Sequence, residues 1–525
     1  MSHRCGAWAL VAAAAIGLSC TVSPPAPLHS PSQSLATDQS LRVRLIDPIG
    51  TVDPALANNT SDMAVTRQLA EPLLRGAPGL LDVEPAAAES YEISDDGLTA
   101  TFHLRANGHF ADGTSVRAAD FVQAWRRVID PNTLSPAADV FAAVVKGGEE
   151  AQSLDPKLDA GRLKAALDNL GLKAVDDLTF AVTLPRPAAQ LKWVASLVQG
   201  APAGNGAFRL AGHTKDRADL TASDSYWGGR PTLSKLSFEV VSDDAVALSR
   251  YQAGGFDVSQ STAGDLSGSE VVKVPALSQY WIYFNTGRPP FDNAKVRQAF
   301  AMALDRAPIV KDAFANRARP ADSLVPRGMR GYRSDLGALQ DFNSTQARQT
   351  LDASGVPKDQ LSSIHYLVRT NPVERAVADQ VAAQVKQNLG LTLVLDVVDA
   401  AEGGGRLRAG DFQLGGVDGW AADYPDQQNW FDLFRSNDGN NLSRWRNPRY
   451  DLLVKQADGE LDPVKRDDLY GQAHELLAAD APVAFLAQLQ NWYLVKPYVK
   501  GLVVTSADEW PGAVHTTRIY INAHR

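Results

Sequence analysis

The side chains that most often carry chemistry are few in this chain of 525 residues. Its two cysteines, Cys5 and Cys20, both lie within the first twenty residues, so the rest of the chain has no cysteine for a disulfide, a thiolate-bound zinc ion or a nucleophile. The nine histidines are scattered, and no two share a short metal-ligand spacing. These residue types predict neither a metal centre nor a cysteine-dependent enzyme.

Sequence motifs of catalysis are also missing. His474-Glu475 begins like H-E-x-x-H, but Ala478 takes the place of the second histidine, so we expect this segment to be a helix surface. Gly204-Asn205-Gly206 begins like a dinucleotide loop, but Arg209 stands where the third glycine belongs. No Walker A loop and no G-x-S-x-G motif is present. The sequence therefore predicts a protein with no catalytic residue, no metal and no cofactor.

Composition and charge limit the class of protein further. Hydrophobic residues make up 45% and charged residues 21%, which is typical of a soluble globular protein, and the length allows about three domains. Lys plus Arg is 51 and Asp plus Glu is 60, so the formal net charge is 51 − 60 = −9. A chain without a basic excess is a poor match to phosphate backbones, so we expect no nucleic-acid partner.

The first forty residues are typical of a targeting signal followed by a flexible tether. Arg4 precedes an uncharged apolar run from Ala7 to Leu18, which suits a signal-peptide core. Small residues before Cys20 resemble the bacterial lipobox, in which the signal is removed and the cysteine sulfur is lipidated. We therefore expect a signal peptide over 1–19, then lipidated Cys20 and a flexible Pro- and Ser-rich tether over 20–40. The alternative is an ordinary secretion signal with an incidental cysteine.

Strand and helix signals alternate along the rest of the chain. Residues 41–45 and 98–104 alternate with period two, as strands do. Phe121 to Ile129 follows helical spacing, and Val373 to Val385 does so again, with Gly390 as a stop. Residues 391–398 read as a buried strand, and Asp462-Pro463 as the start of a helix. This alternation predicts an α/β architecture.

Motifs spread over residues 41–525 resemble, in order, those of the extracellular solute-binding protein family 5, the peptide receptors of bacterial ABC importers. They are Val52-Asp53-Pro54, Pro85-Ala86-Ala87-Ala88-Glu89-Ser90-Tyr91, Ser94-Asp95-Asp96-Gly97-Leu98-Thr99, Thr101-Phe102-His103-Leu104-Arg105, Phe110-Ala111-Asp112-Gly113-Thr114, Asn205-Gly206-Ala207-Phe208, Phe284-Asn285-Thr286, Val296-Arg297-Gln298-Ala299-Phe300 and Gly419-Trp420-Ala421-Ala422-Asp423-Tyr424-Pro425. The resemblance implies an oligopeptide- or dipeptide-binding type of receptor.

The resemblance also implies a fold and partners. The fold is the type II periplasmic binding protein, with three lobes and a ligand cleft closed by a hinge. Lobe I would comprise 41–74, 201–283 and 491–525, lobe II 75–200, and lobe III 284–490. The expected partners are short peptides, an ABC permease with its ATPase subunits, and the membrane through the lipid anchor. We expect a monomer on the extracytoplasmic (periplasmic) face of the bacterial cell membrane.

A receptor for peptides of varied sequence must bind what all peptides share, namely the backbone amides, the ammonium and the carboxylate. By resemblance, Asp423 accepts the ligand ammonium, and the backbone of Gly419, Trp420, Ala421 and Ala422 pairs with the ligand as an added strand. An acid in this apolar stretch would be costly to bury without a partner, and the ammonium would supply one.

Other members of the expected site follow from the same resemblance. Tyr424, like Trp420, is expected to form a wall of the cleft. Asn58, Asn59 and Thr60 fall where the family presents a second backbone segment, although the residues by themselves also fit an ordinary polar turn. Arg406 and Arg408 precede the site strand, but the partner of the peptide carboxylate stays open.

Three other functions compete with peptide capture. The same fold could bind haem, a metal chelate, a sugar or another small molecule. A lipoprotein that no longer transports could regulate an envelope partner. A peptidase would be the enzymatic alternative, and the sequence offers it no nucleophile, metal set or base.

The tether makes the first testable prediction. We expect Cys20→Ser to abolish incorporation of labelled palmitate and to release the protein from the membrane fraction. The folded body should keep its thermal midpoint, since a tether contributes nothing to a core. Equal labelling of the wild type and the variant would contradict lipidation at Cys20.

Overall fold

The computed structural model describes residues 34–79, 82–197, 204–261 and 268–523. The predicted signal peptide, Cys20 and most of the tether lie outside the described residues, as does the predicted lobe boundary between 200 and 201. Within the described ranges, no helix combines the length and the apolar character needed to cross a bilayer.

The described residues form nineteen strands, most of them in one large sheet. In chain order the strands are β1 Ser40–Leu45, β2 Leu74–Gly76, β3 Val83–Pro85, β4 Ala88–Ile93, β5 Thr99–Leu104, β6 Leu172–Ala174, β7 Thr179–Thr183, β8 Phe208–Thr214, β9 Arg217–Ala222, β10 Lys235–Val240, β11 Val258–Ser261, β12 Val271–Phe284, β13 Ala318–Pro320, β14 Ile364–Arg369, β15 Leu393–Val398, β16 Leu414–Ala421, β17 Val483–Val495, β18 Val499–Lys500 and β19 Tyr520–Ile521.

The helices fall between the strands, as the alternating pattern predicts. They are α1 Thr60–Leu69, α2 Ala118–Ile129, α3 Ala138–Val144, α4 Gly148–Gln152, α5 Ala160–Asp168, α6 Leu191–Val194, α7 Asp244–Gln252, α8 Ala294–Met302, α9 Arg306–Ala313, α10 Ser344–Asp352, α11 Pro372–Leu389, α12 Ala400–Ala409, α13 Gln428–Phe431, α14 Pro448–Gly459 and α15 Pro463–Asp480. Short 3₁₀ turns occur at Pro54–Leu56, Ser334–Leu339, Asp432–Phe434 and Thr516–Arg518.

The large sheet has eleven strands in the described residues. Its order is β15-β14-β16-β12-β17-β11-β1-β10-β9-β8, with β13 added against β17. A separate four-stranded sheet, β4-β5-β7-β6, carries its own hydrophobic core against α2 and its neighbours. Two further pairs, β2-β3 and β18-β19, stand apart.

The positions of the elements predicted from local signals are confirmed, but the predicted burial of the 391–398 strand is wrong. This strand, β15, lies at the edge of the large sheet, where Leu393 is buried while Val394 and Val397 are exposed. Asn371 caps α11 by accepting the Glu374 N–H, and Gly390 ends this helix with a φ of +73°. Asp462 caps α15 by accepting two backbone N–H groups, and Pro463 is its first residue. These signals act within one turn of chain, which explains why the sequence alone reveals them.

The expectation that His474 lies on an exposed helix surface is wrong. His474 lies on α15 but is 1% exposed, with its Nε2 accepting the Leu324 N–H at 3.1 Å. Burial lowers the pKa of His474 to about 3, so the ring is neutral. The reason is packing, because the 321–329 segment and the ring of Phe431 cover this face of the helix.

Two long strands, β12 and β17, link the two halves of the large sheet. They pair antiparallel from Val271 with Leu494 to Tyr283 with Val483. The register shifts between Pro275 and Gln279, where the three intervening residues of β12 oppose one of β17. The Gln488 side chain donates to the Ala276 carbonyl at 2.9 Å and so bridges the break.

β12 also pairs with β16, and the two backbones approach each other closely at Gly419. A Cβ atom at this position would lie 2.1 Å from the carbonyl oxygen of Gln279 on β12. The absence of a side chain at Gly419 is therefore required by the sheet itself, whatever else the strand does.

We expect Gly419→Ala to destabilise the unliganded protein by about 1–3 kcal/mol, because the new methyl group must force β12 and β16 apart. The matched control is Gly439→Ala, since a Cβ there meets no atom within 4 Å. Denaturant unfolding of both variants checks this, and equal stabilities would contradict the close approach.

Candidate functional site

The strand β16 has a full partner on one side only. It pairs with β12 along its length, but with β14 only at Leu414 and Gly415. A bulge follows, in which Gly416 has a φ of +69°, a conformation that glycine adopts without strain. Beyond Gly415, no second strand of the described residues covers this edge of β16.

The backbone groups that face the open edge can be assigned from the ladder. The Ala422 N–H donates to the Leu277 carbonyl at 2.8 Å. Since alternate residues of an antiparallel strand bond to the same partner, Trp420 bonds to Gln279 of β12. The N–H and C=O groups of Gly419 and Ala421 therefore point away from β12, toward the open edge.

Asp423 lies two residues beyond the end of β16, and its side chain is exposed. Asp423 therefore carries no cost of burial in this conformation, in which β16 ends at Ala421. Asp423 forms no ion pair within the described ranges. Its Oδ2 accepts one hydrogen bond, from Asn429 Nδ2 at 3.1 Å.

Asn429 on α13 is a site residue that the sequence reading missed. Its Oδ1 accepts from the indole Nε1 of Trp420 at 2.7 Å and from the backbone N–H of Asp423 at 3.2 Å. Asn429 is only 9% exposed, so it holds Trp420 and Asp423 from the interior of the protein. The only sequence signal was a run of three amides, Gln427 to Asn429, which is too weak to assign a role to any one of them.

A buried ion pair fixes the turn after Asp423. Arg466 on α15 makes two hydrogen bonds to Asp426, at 2.7 and 2.8 Å, and both side chains are at most 8% exposed. Tyr424 contributes its ring to the neighbouring hydrophobic cluster and donates to Gln428 at 3.3 Å. Burial raises the pKa of Tyr424 well above its usual value, so the hydroxyl stays protonated.

The predicted second segment, Asn58 to Thr60, begins α1. Asn59 caps this helix by accepting the Asp62 N–H at 2.9 Å, and the Asn58 N–H donates to Asp62 at 3.3 Å. Asp62 is 2% exposed and also binds the N–H groups of Gly50 and Thr51. Within the described residues, no hydrogen bond or ion pair joins 58–60 to 419–424.

The two arginines considered for the peptide carboxylate differ in their surroundings. Arg406 on α12 lies within 4.0 Å of three acids, Asp396, Glu402 and Asp411. Arg408 is exposed on the same helix. Among the described residues, no group of three or more histidine, cysteine or acidic side chains could hold a metal ion.

The comparison with known families agrees with this geometry. Residues 82–441 match the model of the bacterial extracellular solute-binding proteins, family 5. The chain belongs to this family. The predicted family and the predicted type II periplasmic-binding-protein fold class are thereby confirmed.

Individual relatives cover nearly the whole chain. The periplasmic murein peptide-binding protein MppA of Escherichia coli is 28% identical over 93% of this chain and 94% of its own. Heme-binding protein A of Haemophilus influenzae is also 28% identical, over 87% of this chain and 88% of its own. Family members of similar identity are therefore named for different cargoes.

Solved structures of relatives differ in how closely they match this one. The unliganded open form of MppA, 27% identical, covers 94% of this chain and 99% of its own with a TM-score of 0.82. The Haemophilus influenzae OppA complex with the peptide RPPGFSPFR, 25% identical, covers 93% and 100% with a TM-score of 0.65. The present structure is thus more similar to the open form.

The turn after Asp423 gives a prediction about stability. We expect Asp426→Asn to destabilise the fold by about 3–5 kcal/mol, because it leaves the Arg466 charge buried without a counter-charge. Asp423→Asn, the matched control, should change the unfolding free energy by less than about 1 kcal/mol, because it removes one exposed charge and keeps an acceptor. Denaturant unfolding without ligand checks both, and equal losses would show that Asp423 is also structural.

Proposed function

We propose that this protein is an extracytoplasmic receptor that captures short peptides in a cleft between lobes and delivers them to an ABC permease. One observation carries the proposal, namely the open edge of β16 at Gly419 and Ala421 beside the exposed carboxylate of Asp423. An extended peptide on this edge forms hydrogen bonds through its backbone amides, so its binding does not depend on the identity of its side chains. The adjacent carboxylate then meets its ammonium.

The roles of the site residues follow from their positions. Gly419 and Ala421 exchange backbone hydrogen bonds with the ligand, and Asp423 accepts the ammonium. Trp420 and Tyr424 wall the cleft, with Asn429 holding both Trp420 and Asp423 in place. Ala422 is turned toward β12 and supports the strand rather than the ligand.

Relatives named for haem binding show that identity alone does not select a cargo. The site favours a peptide because an extended peptide backbone can form hydrogen bonds with an unpaired strand edge, whereas a flat macrocycle cannot. The neighbouring acid attracts an ammonium and would repel the carboxylates of a haem.

We also propose that the three lobes follow the predicted boundaries, with Asn58 to Thr60 facing the ligand from lobe I. Separate hydrophobic clusters support the division, one within 41–69, 207–274 and 493–521 and another largely within 73–197. The clusters of the third lobe lie mostly within 277–487. The break in β12 after Pro275 falls between them and is a suitable hinge.

The remaining parts of the proposal concern location and activity. Periplasmic relatives support an extracytoplasmic receptor, and Cys20 supplies the lipid anchor. We propose a monomer that works with the permease and ATPase subunits and does not cleave its cargo. His365 does lie between Ser363, at 3.5 Å, and Asp396, at 2.9 Å. This set sits at the opposite end of β16 from Asp423, so it does not face the proposed peptide.

Asp423→Asn tests the proposed function. We expect affinity for a tri- or tetrapeptide with a free amino terminus to fall on the order of 30-fold or more, because the ammonium loses its counter-charge in the closed cleft. N-acetylated peptides should bind the wild type poorly and be nearly indifferent to the substitution. Calorimetric titration of both peptides with both proteins gives the four values of a double-mutant cycle.

Three outcomes would count against the proposal. A coupling energy near zero would remove Asp423 from the site. Tight binding of haem by a wild type that binds no peptide would move the protein to the other cargo class. Mass spectrometry of the peptide recovered from each titration should show it intact, and cleavage that co-purifies with this chain would make it an enzyme.

A further inference from the structure

Lobe II contacts lobe III through a buried tryptophan on α6. Leu191 and Val194 lie on one face of this short helix and belong to the hydrophobic cluster of lobe II. Trp193 lies on the opposite face, is 3% exposed, and belongs instead to a cluster whose other buried members all lie within 277–485. The helix therefore inserts one side chain of lobe II into a hydrophobic cluster of lobe III.

A second contact between the same two lobes lies at the turn that joins β4 to β5. A Cβ atom at Gly97 in this turn would lie 3.0 Å from Cδ1 of Leu461, which lies between α14 and α15 of lobe III. Val83 of β3 adds to the contact, because it packs against the clusters of both lobes. Lobe II is thus docked on lobe III in a conformation that resembles the open form of MppA.

The docked surfaces are packed incompletely. A cavity of about 390 Å³ is lined by both Trp193 and Leu461. Pro425 and Gln427, from the turn after Asp423, form another part of its wall. Since protein interiors are close-packed, a void of this size is typical of surfaces that separate rather than of a permanent core.

The basic side chains around this cavity do not bridge the two lobes. Lys192 of lobe II pairs with Asp82 of the same lobe at 2.6 Å. Arg330 of lobe III pairs with Asp467 of the same lobe at 2.8 Å. Among the residues that the structure describes, no hydrogen bond or ion pair joins lobe II to lobe III. The contact is therefore apolar, and its separation would break no polar interaction.

Lobe II is bound to lobe I by directional contacts instead. Arg127 of lobe II donates two hydrogen bonds to Asp53 of lobe I. The Asn107 side chain donates to the Trp227 carbonyl at 3.1 Å, and the guanidinium of Arg105 lies 3.9 Å from the centre of the Trp227 ring. A rotation of lobe III about the proposed hinge in β12 therefore leaves lobe II with lobe I and displaces lobe III from Trp193.

We infer that Trp193 forms a latch of the open state, a contact that lobe III must break before it closes on a peptide. This inference rests on the proposed function, since it presumes the hinge and a peptide in the cleft. A side chain that is already 3% exposed gains almost no packing from closure, whereas displacement of lobe III uncovers it. The latch thus lowers the population of the closed state and weakens the apparent affinity for every peptide.

Variants on the two sides of the contact test the latch by calorimetric titration with trialanine. We expect Trp193→Ala to raise the affinity on the order of tenfold, and Leu461→Ala to raise it about threefold, because closure then breaks less packing. Leu452→Ala is the matched control, since Leu452 is an exposed leucine on α14 outside the cavity lining. It should bind trialanine as the wild type does.

Small-angle X-ray scattering without ligand gives a readout that a loss of stability alone would not move. The radius of gyration of Trp193→Ala should shift toward the value of the wild type saturated with trialanine, because the closed state is more populated. The control should keep the radius of the unliganded wild type.

A disulfide can hold the same contact in place. The chain has cysteines only at positions 5 and 20, so Gly97→Cys combined with Leu461→Cys puts one new pair at the contact. Oxidation of this double variant should weaken trialanine binding at least about tenfold, and reduction should restore it. Each single variant should respond to neither treatment, which also controls for the strain of a side chain at Gly97, where φ is +70°.

The outcomes separate the latch from the proposed function. A Trp193→Ala protein with unchanged or weaker affinity, or a double variant that binds trialanine equally well when oxidised and reduced, overturns the latch. Failure of the disulfide to form also overturns it, because the two lobes then do not touch in solution. Should Trp193→Ala not fold, Leu461→Ala and the disulfide decide alone. In all these cases a wild type that binds trialanine leaves the proposed function standing, whereas a wild type that binds no peptide removes both.

Discussion

The pairing of β12 with β17 is the interaction on which the rest of the molecule depends. These two strands enter the hydrophobic clusters on both sides of the break after Pro275, so neither half of the large sheet closes without them. In the proposed hinge, the break in register at this point would let each half remain well packed while the angle between them changes. Rigid halves joined by a small number of irregular residues are the usual structural basis of hinge closure.

The open edge of β16 exists because, in the part of the chain that the structure describes, β12 alone pairs with it along its length. An unpaired edge invites aggregation, and proteins commonly protect one with charges, bulges or short length. All three protections are present here. Gly416 forms a bulge, Arg369 caps the Val417 carbonyl, and Asp423 places a negative charge at the far end. What remains is an edge of about three residues, long enough for a short peptide but too short to recruit another sheet.

The sequence predicted the parts of the fold that depend on neighbouring residues. The cap at Asp462 and the stop at Gly390 each act within one turn, and both are observed. Family motifs extended this to the fold class, and they are also the source of the site segment around Asp423, which stays a prediction. The burial of His474 could not be read from α15 alone, since segments far along the chain cover it.

The exposure of Asp423 has an energetic consequence for how capture works. In an open, hydrated cleft, two opposite charges 4 Å apart attract by only about 1 kcal/mol, whereas at the effective dielectric of a protein surface the same pair gains about 4 kcal/mol. In the proposed function, most of the affinity for the ammonium therefore develops as the lobes close and water leaves. A carboxylate buried in the open state would already carry its desolvation cost before any ligand arrived. Exposure leaves Asp423 hydrated and accessible for the encounter, and in the proposed function reopening of the cleft weakens the same contact when the peptide is released.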